Sequence, residues 1–116
     1  MQRKFRLTRS TDFKRVRRFG KSYAHPLVVL IVQASDQASV RVGVAAGKTV
    51  GRAVQRNRAK RLLRAAMQSL LPGLAQGSNI ILIARAPLPE ATLDRTREAL
   101  QSLLLRAGLL TSPDAT

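Results

Sequence analysis

Apolar residues recur at helical spacing in three segments of the chain, and each segment predicts an amphipathic helix. The first is expected over about residues 12–19, and the second and longest over about residues 52–71. Thr92 is placed to cap a third helix that ends near residue 107. The apolar positions are Phe13 and Val16 in the first helix, Ala59, Leu62, Leu63, Ala66, Met67 and Leu70 in the second, and Leu93, Leu100, Leu103 and Leu104 in the third. Each helix therefore has one side to bury.

Three further segments predict β-strands. Residues 26–32 and 80–84 are nearly continuous apolar runs, which are typical of strands covered on both faces. Residues 40–45 alternate instead, with valines at every second position. The polar residues 35–39, between the first two strands, are interpreted as a hairpin loop.

The side of the alternating strand that faces away from the valines is nearly bare. Arg41, Gly43 and Ala45 point to that side, and two of these three have almost no side chain. A face so short of packing atoms leaves room for another part of the chain, or for a ligand, to lie against it.

The order of the predicted elements indicates the fold class. The order α-β-β-(β)-α-β-α predicts an α+β fold or a split βαβ sandwich, in which helices pack on a small sheet. The chain of 116 residues has the length of one domain and shows no internal repeat. We therefore predict a single domain over residues 1–110 and a loose tail at residues 111–116.

The charge of the chain narrows the class of partner. Twenty-one Lys and Arg residues against six Asp and Glu residues give a formal net charge of +15, and a polyanionic partner best explains such self-repulsion. An anionic membrane is the alternative, but no apolar run reaches the roughly 18 residues of a bilayer-spanning segment. The absence of cysteine excludes disulfides and thiolate zinc sites. The cytoplasm is the expected location.

Side chains that could carry out catalysis are few and scattered. A metal-dependent nuclease needs clustered carboxylates. The acids of this chain are Asp12, Asp36, Glu90, Asp94, Glu98 and Asp114. His25 is the only histidine, so an acid–base pair of two histidines is impossible. No glycine-rich phosphate loop of a recognised form occurs. Neither catalysis by the protein alone nor a metal site on it is expected.

One basic segment carries the strongest functional signal. Its cationic residues are Lys48, Arg52, Arg56, Arg58, Lys60, Arg61 and Arg64. No acid occurs between Asp36 and Glu90, whereas a merely solvated helix face usually alternates the sign of its charges. Phosphates from outside better explain an all-positive face, because each contact releases condensed counterions. The segment therefore predicts nucleic-acid binding.

The same segment resembles the signature of the bacterial ribonuclease P protein family. That signature is a glycine, a small residue, an apolar residue, Arg-Asn-Arg and a Lys-Arg pair. It stands here as Gly51, Ala53, Val54, Arg56-Asn57-Arg58 and Lys60-Arg61. Shorter matches occur at Arg6-Leu7, Asp12-Phe13, Arg41-Val42-Gly43 and from Ile81 to Pro87. The resemblance covers about residues 3–109, and the helix motif in this context is highly specific.

The resemblance implies a fold and a division of labour. The fold would be similar to the second domain of ribosomal protein S5, with a left-handed βαβ crossover. The partners would be the catalytic RNA of ribonuclease P and precursor tRNA, with neither a membrane nor an obligate protein partner. The RNA would remove the 5′ leader using Mg²⁺ held by the RNA and the substrate. The protein would be inactive alone and act within an endoribonuclease that is a ribonucleoprotein.

Two RNA-binding surfaces are implied by the resemblance. The residues of the helix motif that would lie against the catalytic RNA are Lys48, Arg52, Arg56, Asn57, Arg58, Lys60, Arg61 and Arg64. A cleft between the first helix and the sheet, lined by Phe13, Arg17, Arg41 and Gly43, would hold the single-stranded leader. The family often has aromatic residues where this chain has Arg17 and Ile31. The Phe13 ring could stack on a base or belong to the core, and the residues leave both roles open.

Two other classes of function remain compatible with a basic helix. A ribosomal-type structural RNA-binding protein would need the same charge and could share the fold. A protein that reads the major groove of DNA is disfavoured, because no helix-turn-helix partner is recognisable and the arginine spacing suits backbone contacts. Processing of precursor tRNA together with the catalytic RNA tests the first alternative. Competition between structured RNA and duplex DNA tests the second.

Overall fold

The computed structural model describes residues 5–7, 9–35, 38–74 and 77–110. Its helices and strands are α1 (Ser10–Phe19), β1 (Lys21–Ala24), β2 (Val28–Ala34), β3 (Arg41–Ala45), α2 (Ala53–Leu70), β4 (Ser78–Ala84) and α3 (Leu93–Arg106). These elements confirm an α+β fold. None of the described helices has the apolar stretch that a bilayer-spanning segment requires. The predicted tail at residues 111–116 and the centre of the predicted loop at residues 36–37 lie outside the described residues.

The four strands form one mixed sheet in the order β1-β2-β4-β3. β4 pairs antiparallel with β2 and parallel with β3, so it lies in the middle of the sheet although it is the last strand along the chain. Its apolar sequence suits that position, because Ile80, Ile81 and Leu82 are fully buried. Since α2 connects the parallel strands β3 and β4, these three elements form a βαβ crossover unit.

The prediction that residues 35–39 form a hairpin loop is wrong, because β2 and β3 are not neighbours and β4 lies between them. The hairpin of the sheet joins β1 to β2 instead. Its turn is closed by the hydrogen bonds His25 N to Val28 O at 3.0 Å and Val28 N to His25 O at 3.2 Å. Alternation along a strand reports which side chains share a face, not which strand lies alongside.

The larger core lies between one face of the sheet and the helices α2 and α3. Leu30 and Leu82 project into it from the sheet and Leu63 from α2, and all three are fully buried. α3 begins at the predicted cap, where the Thr92 Oγ accepts a hydrogen bond from Arg95 N at 3.1 Å. Burial of its apolar side fixes the orientation of α2 and turns its basic side outward.

The other face of the sheet is covered only in part, by α1. Val16 points from α1 into a small cluster with Leu7, Ile31 and Ile81. The strand register places Ile31, Ile81 and Gly43 side by side in one row across the sheet, and α1 lies over this row. The rows on either side of α1 remain accessible, so this face has two places where a ligand could bind.

Candidate nucleic-acid interface

The outward side of α2 presents the predicted helix motif on two flanks. Arg58 and Arg61 lie on the flank next to the start of α3, where both line a shallow hollow. Asn57, Lys60 and Arg64, spaced by three and four residues, form the other flank. The motif therefore faces solvent over a wide arc of the helix rather than along a single line.

The residues that lead into α2 extend this surface. Lys48 and Arg52 are exposed, and Arg56 in the first turn is half-buried. Lys48 opens a short 3-10 turn that ends at Gly51, whose φ is 133°. Glycine adopts that backbone conformation without the penalty that a Cβ brings, which gives the glycine of the motif a structural reason. The turn sets the direction in which α2 leaves the sheet.

No acidic side chain of the described residues forms an ion pair with α2. The ion pairs of the described residues join Arg15 to Asp12 at 2.7 Å and Arg97 to Asp94 at 3.4 Å, so both lie outside the basic segment. The first turn of α2 contains no acid, and the N-cap residue Arg52 makes no side-chain cap. Cationic side chains thus surround the positive end of the helix dipole. Anions from outside the protein would relieve this repulsion.

Arg58 differs from the other arginines of α2, because part of its guanidinium group is engaged inside the protein. Its Nε donates a hydrogen bond to the Pro89 carbonyl oxygen at 2.5 Å, in the turn before α3. By contrast, Arg61 Nε contacts only a carbonyl of its own helix, that of Asn57, at 3.5 Å. Arg58 is therefore more than a candidate RNA ligand, since it also holds α2 to the neighbouring turn.

The fold brings Phe13 and Gly43 together, as the prediction that both line one cleft requires. A Cβ at Gly43 would lie 2.8 Å from Cε2 and 2.9 Å from Cε1 of Phe13, so only glycine leaves room for the ring. The bare face of β3 is thus filled at this point by a side chain of the protein itself. Phe13 is half-buried and packs on the cluster around Val16, so part of its ring remains accessible.

The two flanks of α1 have different neighbours. Val16 points into the sheet. The side chains of Arg15 and Arg17 therefore point about 100° to either side of Val16 around the helix axis. Arg15 lines a polar pocket together with Arg41, which places Arg17 on the flank away from Arg41. The residues predicted for one leader cleft therefore border two separate spaces, with α1 between them.

An apolar groove runs along the Arg17 flank of α1. Its floor is the row formed by Val29, Ile83 and Ala45, all half-buried. Near the end of β4, Ile83 of this floor also lines a hollow of about 630 Å³, together with Thr49 and Arg85. Thr49 directly follows Lys48, so this groove opens next to the first cation of the helix motif.

Several residues of these spaces were not identified from the sequence. Arg9 and Arg15 at the polar pocket, and Thr49 at the groove, stand in no motif and carry no periodic signal. Arg85 and Asn79 had a usable signal. Each is a polar residue at one end of the buried strand β4, where a side chain reaches the edge of a sheet face.

Groups suited to catalysis do not converge in the described ranges. No three His, Asp or Glu side chains come together there as metal ligands. His25 has a structural contact, because its Nδ1 accepts a hydrogen bond from Leu27 N at 3.1 Å in the β1–β2 turn. What the surface offers is exposed guanidinium and ammonium groups, together with the partly accessible ring of Phe13, which suits nucleic-acid binding.

Comparison with known sequences identifies relatives over nearly the whole chain. The sequence model of the Ribonuclease P family matches residues 1–108. A ribonuclease P protein component from Herpetosiphon aurantiacus is 38% identical over 109 residues, which cover 94% of this chain and 89% of the relative. Another from Bacillus cereus is 34% identical over 110 residues, which cover 94% of this chain and 96% of the relative.

Solved structures share the fold. The RNase P protein of Staphylococcus aureus superimposes with a TM-score of 0.82 at 27% identity, over 92% of this chain and 98% of that one. The RNase P protein of Thermotoga maritima gives a TM-score of 0.78 at 28% identity, over 87% and 96% of the two chains. The fold predicted through the family resemblance is therefore confirmed.

Proposed function

This chain belongs to the Ribonuclease P family, and from that membership we propose that it is the ribonuclease P subunit that binds the catalytic RNA and the 5′ leader of precursor tRNA. Membership implies a role in tRNA 5′ processing as part of an endoribonuclease. The observation that carries the proposal is α2 with its preceding turn. Seven Lys and Arg side chains from Lys48 to Arg64 have no acidic partner among the described residues.

The catalytic RNA would lie against the outward side of α2. Arg61 and Arg64 stand on its two flanks, so phosphates of a folded RNA could be contacted across the width of the helix. Backbone contacts of this kind position an RNA without reading its sequence. The uncapped, acid-free start of α2 supports the proposal, because bound phosphates would stabilise that end of the helix.

The leader would lie in the groove on the Arg17 flank of α1. Base stacking on an aromatic ring is a common way to hold a single strand, and the accessible part of Phe13 offers such a ring. Arg17 could stack through its guanidinium plane or pair with a phosphate. A strand leaving the groove past Thr49 would meet Lys48 at once, so one RNA surface could hold leader and catalytic RNA side by side.

In this proposal the chemistry belongs to the RNA. Mg²⁺ held by the catalytic RNA and the substrate would activate the water that cleaves the leader. The protein would supply orientation and charge neutralisation, which the arrangement of its cations supports. We place the ribonucleoprotein in the cytoplasm with its RNA partners.

Reconstitution tests the proposal. The full chain is incubated with a bacterial ribonuclease P RNA and 5′-labelled precursor tRNA, at a magnesium concentration too low for the RNA alone. We expect cleavage at the mature 5′ end only when both components are present. The double variant Lys60→Gln, Arg64→Gln should need more protein to reach the same rate. The matched variant Lys14→Gln, Arg95→Gln, which removes the same two charges elsewhere, should behave as the parent chain does.

Two results would contradict the proposal. Leader removal by protein rigorously freed of RNA would place the chemistry in the protein. Tight binding to the catalytic RNA with no gain in cleavage would instead indicate a structural RNA-binding protein of the ribosomal type.

A further inference from the structure

A polar pocket lies on the flank of α1 opposite to Arg17, outside the groove proposed for the leader. Its volume is about 340 Å³, which is within the range of small-ligand sites. Its polar lining consists of Arg9, Asp12, Arg15, Ser35, Arg41 and Asn79. These residues come from α1 and the residue before it, from β3 and β4, and from the residue after β2, so several elements of the fold hold the pocket.

Arg41 lines this pocket and keeps one donor that no described residue satisfies. Its Nε is buried and has no hydrogen-bond partner within the described part of the chain. In the sheet Arg41 lies level with Asn79 of β4, whose amide carries no charge. A buried N–H without an acceptor is unfavourable. A ligand whose oxygen acceptor displaces the atoms covering this Nε would remove that penalty.

The charges around the pocket do not balance. Among the described residues, Asp12 is the only acid in its lining, and its Oδ1 accepts from Arg15 Nη2 at 2.7 Å. Neither Arg9 nor Arg41 has a carboxylate partner among the described residues. α1 also begins here without a side-chain cap, so donors of its first turn add to the excess. The described lining of the pocket therefore carries two uncompensated positive charges and more donors than acceptors.

From the unsatisfied Arg41 donor and the excess charge, we propose that this pocket binds a phosphate group. Guanidinium groups pair with phosphate oxygens through two parallel hydrogen bonds. A backbone phosphate of RNA and a free phosphate ion both present this chemistry. The inference that the phosphate belongs to RNA rests on the proposed function, whereas the inference of a phosphate site in this pocket does not. A backbone phosphate bound here would belong to a stretch of RNA separate from the leader groove, with α1 between the two.

The NMR signals of the arginine side chains test the phosphate site directly on the full chain. In ¹H–¹⁵N spectra of labelled protein, each Nε–H gives its own signal, and the Arg41 signal is assigned by its loss in Arg41→Lys. Inorganic phosphate should shift the Arg41 signal saturably, while sodium chloride of equal ionic strength should not. Arg95, exposed on α3, is the internal control and should follow ionic strength only. An Arg41 signal that moves no more than that of Arg95 would overturn the proposal.

A second variant keeps the test independent of changes at Arg41. Asn79→Asp would place a carboxylate beside Arg41, at the paired position of the neighbouring strand. That carboxylate would give the guanidinium an internal partner and repel phosphate. We expect phosphate affinity to fall by at least about tenfold with the fold retained. An unchanged affinity would mean that phosphate binds elsewhere, and the proposal would fail.

RNA binding then distinguishes the two sources. Arg41→Gln and Arg95→Gln each remove one charge, and both are compared for affinity to the catalytic RNA and to its complex with precursor tRNA. If Arg41→Gln weakens binding about fivefold more than Arg95→Gln, an RNA backbone phosphate is the ligand. If the two variants lose RNA affinity equally while the Arg41 signal still responds to phosphate, a free anion is the ligand. Either result supports a phosphate site, and neither depends on whether the leader is cleaved.

Discussion

Gly43 and Phe13 depend on each other's size, because the ring occupies the space that a Cβ at Gly43 would need. Gly43→Ala should force the ring to move and lower the free energy of unfolding by about 1–3 kcal/mol, as overpacking does. Urea denaturation followed by far-UV circular dichroism measures the loss. The same displacement should also disturb the groove beside the ring.

The partner variant Phe13→Leu serves as the control. Gly43→Ala should be less harmful in a Phe13→Leu background, so the double variant should lose less stability than the two single losses added together. Strict additivity would contradict the contact. If the ring also stacks on a base, Phe13→Leu should weaken binding of precursors with long leaders and leave mature tRNA unaffected. A purely structural ring would lower stability alone.

Arg17 belongs to the leader groove alone in the proposed function. Arg17→Ala should weaken binding of precursor tRNA with a leader of several nucleotides by about fivefold, the equivalent of about 1 kcal/mol. Precursors with a one-nucleotide leader should be almost unaffected, because they do not reach the flank of α1. Holoenzyme affinity for both substrates is the measurement. Lys14→Ala, on the outward side of α1, is the control, and an equal effect there would rule out a specific contact.

Arg58 and Arg61 are neighbours on α2 with different internal contacts. Arg58→Ala removes the hydrogen bond to the Pro89 carbonyl and should lower the free energy of unfolding by about 1 kcal/mol. Arg61→Ala should change it by less than about 0.5 kcal/mol. Thermal or urea unfolding of the two variants checks the difference. Equal stabilities would show that the bond to Pro89 contributes nothing.

At the scale of an element, α2 is expected to contribute through charge rather than through sequence reading. The double variant Lys60→Gln, Arg64→Gln should reduce the slope of log affinity against log salt for the catalytic RNA by roughly 0.7–0.9 per lost contact. The loss should be the same for every leader length, because α2 lies outside the groove. Filter binding over a salt series, with precursors of different leader length, measures both the salt slope and the affinity loss. A loss that grows with leader length would assign α2 to the leader instead.

The elements themselves were largely predictable, but their neighbours were not. Periodicity located α2 and α3 to within a few residues, because each helix buries most of one apolar side, although Leu93 at the start of α3 is exposed. The short strand β1 was not predicted, since its exposed residues Lys21, Ser22 and Ala24 give no strong alternation. The central place of β4 could not be predicted either, because an apolar run reports burial on two faces and not the strand that lies alongside.

The candidate site was likewise predictable in one part and not in another. The cations of α2 stood out because charge without alternation is visible in the sequence. The separation of Arg17 from Arg41 was not visible, since it depends on α1 crossing the sheet between them. The second role of Arg58 depends on a backbone carbonyl 31 residues away. Contacts of that kind follow from the assembled fold alone.

The whole molecule carries a net charge of +15 on 116 residues, which opposes compaction. Anions that bind only the folded chain should therefore raise its melting temperature. Sulfate or pyrophosphate at millimolar concentration should stabilise well beyond sodium chloride of equal ionic strength, as measured by calorimetry. Equal stabilisation would mean that screening alone operates. Arg41→Gln should reduce the pyrophosphate effect, because it removes one of the proposed sites.

The place of β4 also determines when the protein can fold during its synthesis. The β1–β2 hairpin is complete early, but β3 has no strand to pair with until residues 78–84 have left the ribosome. Until then α2 has no core to pack against, and its positive charges are carried by an unfolded nascent chain. We therefore expect the sheet, the core and the basic helix to form together in one late step. RNA that meets the nascent chain at that stage would assist the folding of the surface that later binds it.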